Sequence, residues 1–185
     1  PECTCGTERI ASIVDELDGD IVVNVQGDEP LIEPALIDQL IEAARQSGAD
    51  MVTPVTCIRD LETLTNPNSV KVVRSSDGLA LYFSRSPVPF IRDVPLAEWP
   101  HHSTFWLQVG TYAFTREVLR EYRRWEESPL EKLEKVEQLR FLEHGKRILT
   151  VVTEFKMVAV DVQEDLERVR GLMAAGSRVD GDPRR

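Results

Sequence analysis

The stretch IVVNVQGDEP at residues 21–30 decides how this chain reads, because an apolar run ends there in a glycine followed at once by two carboxylates. Ile21, Val22, Val23 and Val25 predict a strand over 21–26, of the parallel kind covered on both faces. Ligands of open α/β sheets collect where such strands end. Gly27 leaves room for a close approach, and Asp28 and Glu29 add hard oxygen donors of the type that Mg²⁺ takes beside phosphates. A plainer reading competes: with Pro30, Glu33 and Pro34 the same residues suit an acidic turn leading into a helix over 34–47, proline early and carboxylates at its positive end. Local pattern leaves both open, so the rest of the chain must decide.

Working outward, a helix is expected over 7–17, where Ile10, Ile13, Val14 and Leu17 recur at helical spacing. The helix over 34–47 carries Leu36, Ile37, Leu40, Ile41 and Ala44 on one face, stops near Gly48, and leads to a strand over 51–56. Together with 21–26 this is a β-α-β unit. Strands over 70–74 and 79–84 flank an Asp77-Gly78 pair, a strong hairpin signal. Residues 86–104 contain Pro87, Pro89, Pro95 and Pro100 and read as a long irregular loop. A strand over 108–114, a helix over 115–125 capped by Thr115, a helix over 130–144 opened by Pro129, strands over 148–152 and 157–160, and a helix over 163–175 complete the pattern. Helices and strands alternate throughout. The fold class is α/β, a three-layer α/β/α sandwich whose sheet is mostly parallel with an antiparallel insertion. The 185 residues, 42% hydrophobic, suffice for one core, so 1–175 is expected as one domain and the Gly- and charge-rich 176–185 as a flexible tail.

Composition narrows the function classes. A formal net charge of −10 disfavours a nucleic-acid groove, which needs clustered Lys and Arg, and a small anionic substrate would need a local cationic pocket or a metal. No stretch approaches the roughly 20 apolar residues of a membrane span, and no signal-peptide layout opens the chain, so a cytoplasmic protein without membrane contact is expected. Cys3, Cys5 and Cys57 are odd in number, which fits a reducing compartment, and Cys3-x-Cys5 lacks zinc-site spacing.

Several further residues carry chemistry. Asp161 follows the apolar 157–160 as Asp28 follows 21–26. Two such aspartates at one rim of a sheet would hold Mg²⁺ against phosphates, although Asp161 also suits the cap of the helix that follows. Glu137 falls in line with Leu133 and Phe141 at i, i+4, i+8 on a core-facing stripe. A buried carboxylate there must pair with a basic residue, Arg85 or Arg140, or open onto a cavity where ligand hydroxyls satisfy it, with Gln138 beside it. Arg85 ends a strand at a place suited to a guanidinium that forks onto carboxylate or phosphate, and Tyr112 offers a hydroxyl. The segment Gly6-Thr7-Glu8-Arg9 opens a helix whose free N–H groups either meet an anion or are capped.

Taken in order, GTER at 6–9, NVQGDEP at 24–30, NPNSVKVV at 66–73, ALYFSR at 80–85, VGTY at 109–112, SPLEKLEKVEQLR at 128–140 and VDVQEDLERVR at 160–170 resemble the 3-deoxy-manno-octulosonate cytidylyltransferases. The resemblance runs over nearly the whole chain. It implies a Rossmann-like nucleotidyltransferase fold, transfer of CMP from CTP to the anomeric hydroxyl of an eight-carbon sugar acid for lipopolysaccharide assembly, release of pyrophosphate, a Mg²⁺ cofactor and a homodimer. It further implies Asp28 and Asp161 as catalytic, metal-binding carboxylates, Arg85, Gln108, Tyr112, Glu137 and Gln138 as lining the sugar-acid pocket, and Gly6, Arg9 and Gln26 as lying near the nucleotide. The family's opening strand and its Gly-, Arg- and Lys-containing loop have no counterpart before Pro1, so the chain by itself is expected to be inactive. Cys5 stands where the family has serine, Gln108 where it has histidine, and Val162-Gln163 where it has Thr-Pro. Gln108 hydrogen-bonds but carries no charge near neutral pH, which leaves another acidic sugar, an 8-amino-octulosonate or a nonulosonate, as the alternative substrate. A non-catalytic binding or assembly domain is the alternative of another class.

Overall fold

The computed structural model describes residues 3, 5–27, 29–155, 160 and 163–174. Its elements in chain order are α1 (Gly6–Ser12), β1 (Ile21–Asn24), α2 (Pro34–Ser47), β2 (Met51–Ile58), α3 (Leu61–Thr65), β3 (Lys71–Arg74), β4 (Ala80–Ser84), α4 (Trp99–His102), β5 (Phe105–Gln108), β6 (Tyr112–Thr115), α5 (Arg116–Tyr122), α6 (Pro129–Glu134), α7 (Gln138–Glu143), β7 (Ile148–Val152) and α8 (Gln163–Ala174).

The long strand β2 organises the sheet, which runs β1-β6-β2-β5-β3-β4 with β7 added against β2. Met51 and Val52 pair with Phe114 and Ala113 of β6 on one edge, while Met51 to Val55 pair with β7 on the other, and Val55 to Ile58 pair with β5. Side chains alternate across the pleat, so successive residues feed opposite layers. Val52 and Ala113 pack with Leu36, Leu40 and Ala44 of α2, spaced i, i+4, i+8. Their neighbours Met51 and Phe114 pack on the other face with Val118, Leu119 and Tyr122 of α5 and with Leu139 and Phe141 of α7. This is the expected layering of helices on both faces. A smaller cluster of Ile58, Leu64, Trp99 and Phe105 lies apart from both.

Four expectations are corrected. The sheet is mainly antiparallel: β2 with β7 is the parallel pairing among the described residues, and β1–β6, β2–β6, β2–β5, β3–β5 and β3–β4 are antiparallel. The β-α-β unit keeps its sense, since β1 and β2 each run against β6 and hence with each other, but β6 is inserted between them. Hydrophobic periodicity reports burial and not strand direction, which is why the pattern misses this. Second, the strand expected over 108–114 is two strands, β5 and β6. Between them Val109 N donates to Pro54 O at 3.0 Å and Thr111 N to Val109 O at 2.9 Å. Third, the helix expected over 130–144 is broken into α6 and α7 at Lys135, whose φ is +53°. Leu133 is 81% exposed, so the stripe through Leu133, Glu137 and Phe141 does not exist. Fourth, the proline-rich 86–104 holds a 3₁₀ turn at Leu96–Glu98 and α4, where Trp99 packs among Ile58, Leu64 and Phe105. The strand expected over 157–160 falls almost wholly outside the described residues, and the tail 176–185 entirely so.

Candidate active site

The break between α6 and α7 builds the site. Pro129 at the first position and Ser128 before it start α6, and the Glu131 carboxylate turns back to accept from Ser128 N at 3.2 Å. Lys135 then ends the helix in the left-handed conformation, its N–H donating to Glu131 O at 2.7 Å. Arg85, from the end of β4, clamps this corner. Its Nε donates to Glu134 O, Nη2 to Lys135 O at 3.1 Å and Nη1 to Pro67 O at 2.8 Å, while its backbone N donates to the Glu134 carboxylate at 2.9 Å. Three of the five guanidinium N–H donors are thus committed to carbonyls, and two remain among the described residues. The fork expected on a carboxylate or phosphate is instead a clamp on backbone.

Chain reversal at Lys135 makes Glu137 the residue that precedes α7 and opens Gln138 at the helix start. A cavity of about 430 Å³ lies there, lined by Cys5, Gly6, Val70, Arg85, Gln108, Tyr112, Glu137 and Gln138, with Glu127, Glu131, Lys135 and Val136 completing the wall. All five residues assigned to the sugar-acid pocket by resemblance therefore converge, together with Gly6. Gln108 Nε2 donates to the Tyr112 hydroxyl at 3.0 Å. Glu137 is not paired with either expected arginine. Arg140 is taken by a bidentate contact to Glu131 at 2.6 and 2.7 Å and by Glu8 at 3.1 Å, and Arg85 by the carbonyls above. Glu137 Oε2 is buried and has no hydrogen-bond partner among the described residues. The reading in which the carboxylate opens onto a cavity is the one the geometry supports.

Behind the wall, the Arg140 side chain is 3% exposed and lies 4.4 Å over the ring of Tyr122. Burial opposes its charge, but its hydrogen bonds to Glu131 with the nearby Tyr122 and Glu8 outweigh that and hold it firmly protonated. Lys71, fully buried in NPNSVKVV, donates to Asn66 O at 2.8 Å and to Ser69 O, fixing the segment that ends at Val70 in the cavity. Burial, then the Arg85 charge, pulls its ammonium below the usual lysine range. Lys71 escapes a sequence reading, Arg140 enters it only as a candidate partner for Glu137, and Glu131 carries a signal in its three-residue spacing from Ser128, that of a capping box.

The nucleotide group is brought together in part. A Cβ on Gly6 would stand 3.4 Å from Gln26 Nε2 and 3.5 Å from Asn24 Nδ2, and one on Gly110 3.7 Å from Gln26 Cγ. Gln26 thus sits between the start of α1 and the turn that precedes Tyr112. Cys5 caps α1 by accepting from Glu8 N at 3.4 Å, so the helix start is capped there by a side chain. Arg9 is exposed and does not line the cavity. Asp28 and Asp161 lie outside the described residues, and among the described residues no group of three or more His, Cys, Asp or Glu is placed to hold a metal ion. A neighbouring cavity of about 740 Å³ shares Val70, Gln108 and Tyr112 with the first and is lined also by Glu29.

A family model described as cytidylyltransferase matches residues 1–148. The 3-deoxy-manno-octulosonate cytidylyltransferase of Christiangramia forsetii is 42% identical over 176 residues, covering 94% of this chain and 69% of that protein. The Haemophilus influenzae protein of the same name is 41% identical over 184 residues, covering 92% and 70%. Among solved structures, a CMP:2-keto-3-deoxy-manno-octonic acid synthetase complexed with CTP superposes with a TM-score of 0.85 at 34% identity, covering 95% of this chain and 70% of that one. HddC from Yersinia pseudotuberculosis, at 12% identity and a TM-score of 0.61, shares the fold alone.

Proposed function

The chain belongs to the cytidylyltransferase family, and from that premise we propose that it transfers CMP from CTP to the anomeric hydroxyl of 3-deoxy-manno-octulosonate, giving the CMP-sugar and pyrophosphate for lipopolysaccharide biosynthesis. One observation carries this reading: Arg85, Gln108, Tyr112, Glu137 and Gln138, from four separate stretches of sequence, line a single cavity beside the start of α1.

The chemistry follows from the groups present. The sugar hydroxyl attacks the α-phosphorus of CTP and pyrophosphate leaves, so no protein nucleophile is needed and catalysis is a matter of placement and charge. Glu137, with an acceptor oxygen unused among the described residues, takes hydrogen bonds from sugar hydroxyls, and the Gln138 amide supplies donors beside it. Gln108, donating to the Tyr112 hydroxyl, fixes that side chain at the wall of the cavity. Arg85 keeps the α6–α7 corner in place and offers its two remaining N–H groups and its charge to the sugar carboxylate. Gly6 and Gln26 stand on the nucleotide side, with Arg9 one helical turn further on. The metal is assigned to Asp28 and Asp161, a pair of hard oxygen donors suited to Mg²⁺. When bound, Mg²⁺ offsets charge on the phosphates and aligns attacking and leaving oxygens. A homodimer and a cytoplasmic location complete the proposal.

The test is product formation by the protein expressed from its complete coding sequence, supplied with CTP, Mg²⁺ and candidate sugar acids. Equimolar pyrophosphate and the CMP adduct of 3-deoxy-manno-octulosonate, identified by mass, are expected. Faster turnover of an 8-amino-octulosonate or a nonulosonate would overturn the substrate assignment, and failure of Asp28→Asn and Asp161→Asn to weaken the dependence on Mg²⁺ would overturn the metal assignment. Light scattering reads the oligomeric state.

A further inference from the structure

The cavity assigned to the sugar acid is short of positive charge. Its lining includes three carboxylates, Glu127, Glu131 and Glu137, and two cations, Arg85 and Lys135. Arg140, behind the wall, answers Glu131 at 2.6 and 2.7 Å, which leaves Glu127 and Glu137 to face an incoming carboxylate in a chain of formal net charge −10. Such a ligand needs a local excess of cations to enter. Arg85 spends three guanidinium N–H groups on the carbonyls of Pro67, Glu134 and Lys135. Lys135 is the other cation, and the proposed chemistry gives it no part.

The backbone of Lys135 is held from both sides: its N–H donates to Glu131 O at 2.7 Å, and its carbonyl accepts from Arg85 Nη2 at 3.1 Å. These bonds fix the φ of +53° at the corner between α6 and α7, a conformation that favours glycine and gives no reason for a lysine. The side chain is held far more lightly. Among the described residues its one ion pair is Nζ to Glu127 Oε1 at 3.4 Å, with the two side chains 69% and 41% exposed. A pair so open to water is worth little and exchanges readily. The ammonium is thus a point charge on a flexible stem, rooted in a pinned corner, with a carboxylate partner that another carboxylate can replace.

We propose that Lys135 is a further substrate-binding residue, whose ammonium leaves Glu127 to meet the carboxylate of the sugar acid and, with Arg85, makes the cavity select acids over neutral sugars. The proposal rests on the functional reading above, because it takes a sugar acid to be what fills the cavity.

The experiment measures steady-state kinetics with 3-deoxy-manno-octulosonate, CTP and Mg²⁺ at low and high salt, for the protein expressed from its complete coding sequence and for Lys135→Gln, Lys135→Arg, Lys135→Gly and Glu127→Gln, with each variant's thermal unfolding recorded. Lys135→Gln should raise the KM for the sugar acid about fivefold at low salt, with kcat and the KM for CTP unchanged, and the difference should shrink as salt screens the charge. Lys135→Arg keeps the charge and should stay within about twofold of the native KM. Lys135→Gly suits the backbone, so it should lose affinity as the glutamine variant does without lowering the unfolding midpoint, which separates the charge from the architecture of the corner. Glu127→Gln removes the competing carboxylate and should lower the KM for the sugar acid, a gain that should vanish when Lys135→Gln is added. A native KM for Lys135→Gln overturns the proposal, as does a loss independent of salt, a loss confined to kcat or to CTP, or an equal gain from Glu127→Gln with and without Lys135. Absence of turnover of any sugar acid by the native protein overturns the functional reading itself, whereas native turnover with an unaffected Lys135→Gln variant overturns the role of Lys135 alone.

Discussion

The wall at 128–143 and the segment 21–27 beside the start of α1 treat polar groups in opposite ways. In the wall a guanidinium is buried against two carboxylates, Glu131 and Glu8, and stacked on an aromatic ring. In the segment 21–27 the groups that approach α1 are the neutral amides of Asn24 and Gln26, packed against the bare Cα of Gly6. The contrast repeats within the wall itself, where Glu131 is fully paired and Glu137, six residues on, leaves a buried oxygen unused among the described residues. A charge buried for architecture has to be matched group for group, since one left short destabilises the fold. A charge kept for a ligand must be left short. Glu131 and Glu137 therefore ought to fail differently when changed.

Arg140→Ala tests that difference most severely. It strands Glu131 inside the protein and should cost about 3–5 kcal/mol of stability in urea unfolding, as breaking one side of a buried pair does. A loss under about 1 kcal/mol would mean that the aromatic stack of Phe114, Tyr122, Trp125 and Phe141, rather than the ion pair, holds the wall. Glu137→Gln is the counterpart. It should leave the unfolding midpoint unchanged and weaken sugar-acid binding about 10- to 100-fold, the range for hydrogen bonds to a charged group. A lower midpoint with intact binding would reverse the roles assigned to the two glutamates.

Tyr122→Phe, which removes the hydroxyl beside Cys5 and keeps the ring, should cost about 1 kcal/mol in the same unfolding assay. Gly6→Ala places a methyl group in contact with the amides of Gln26 and Asn24, at 3.4 and 3.5 Å, on the side assigned to the nucleotide. It should raise the KM for CTP while changing stability by less than about 1 kcal/mol, because alanine also favours the helix it starts. The gentlest effect is on pH. The Cys5 thiol rises from an ordinary value of 9.0 to about 12 on folding. Below pH 9 both states hold the proton and this group adds no pH dependence. Between there and about 12 the unfolded chain ionises first, so stability falls as pH rises. Cys5→Ser, which does not titrate, should lose less stability over that window, and equal slopes would show that burial of the thiol is not felt.

Much of the fold was legible for reasons that can be named. Pro34 and Gly48 bracket α2 at the expected residues, Thr115 caps α5 by accepting from Val118 N, and Asp77-Gly78 turns between β3 and β4 with Gly78 at φ +89°. These are local signals, set within a few residues by backbone sterics and orphan N–H groups. Illegible were the insertion of β6 between β1 and β2, the split at 109–111 and the break at Lys135. Each depends on a partner far along the chain: Val109 on Pro54, Lys135 on Arg85. The candidate site divides in the same way. The residue types and their order were readable, whereas Arg140, one of the two arginines offered as partners for Glu137, was claimed by Glu131, a choice made by packing.

By itself, then, the sequence determined the alternating helices and strands, their ends, and the set of polar residues that belong to the site, because capping, turn chemistry and apolar spacing act over one or two helical turns. Only the tertiary structure decided strand direction, the corner at Lys135 and the assignment of each buried charge to its partner. Hydrogen bonds and ion pairs between residues as far apart as Glu8 and Arg140 exist solely once the sheet and its two layers of helices have brought them within about 3 Å.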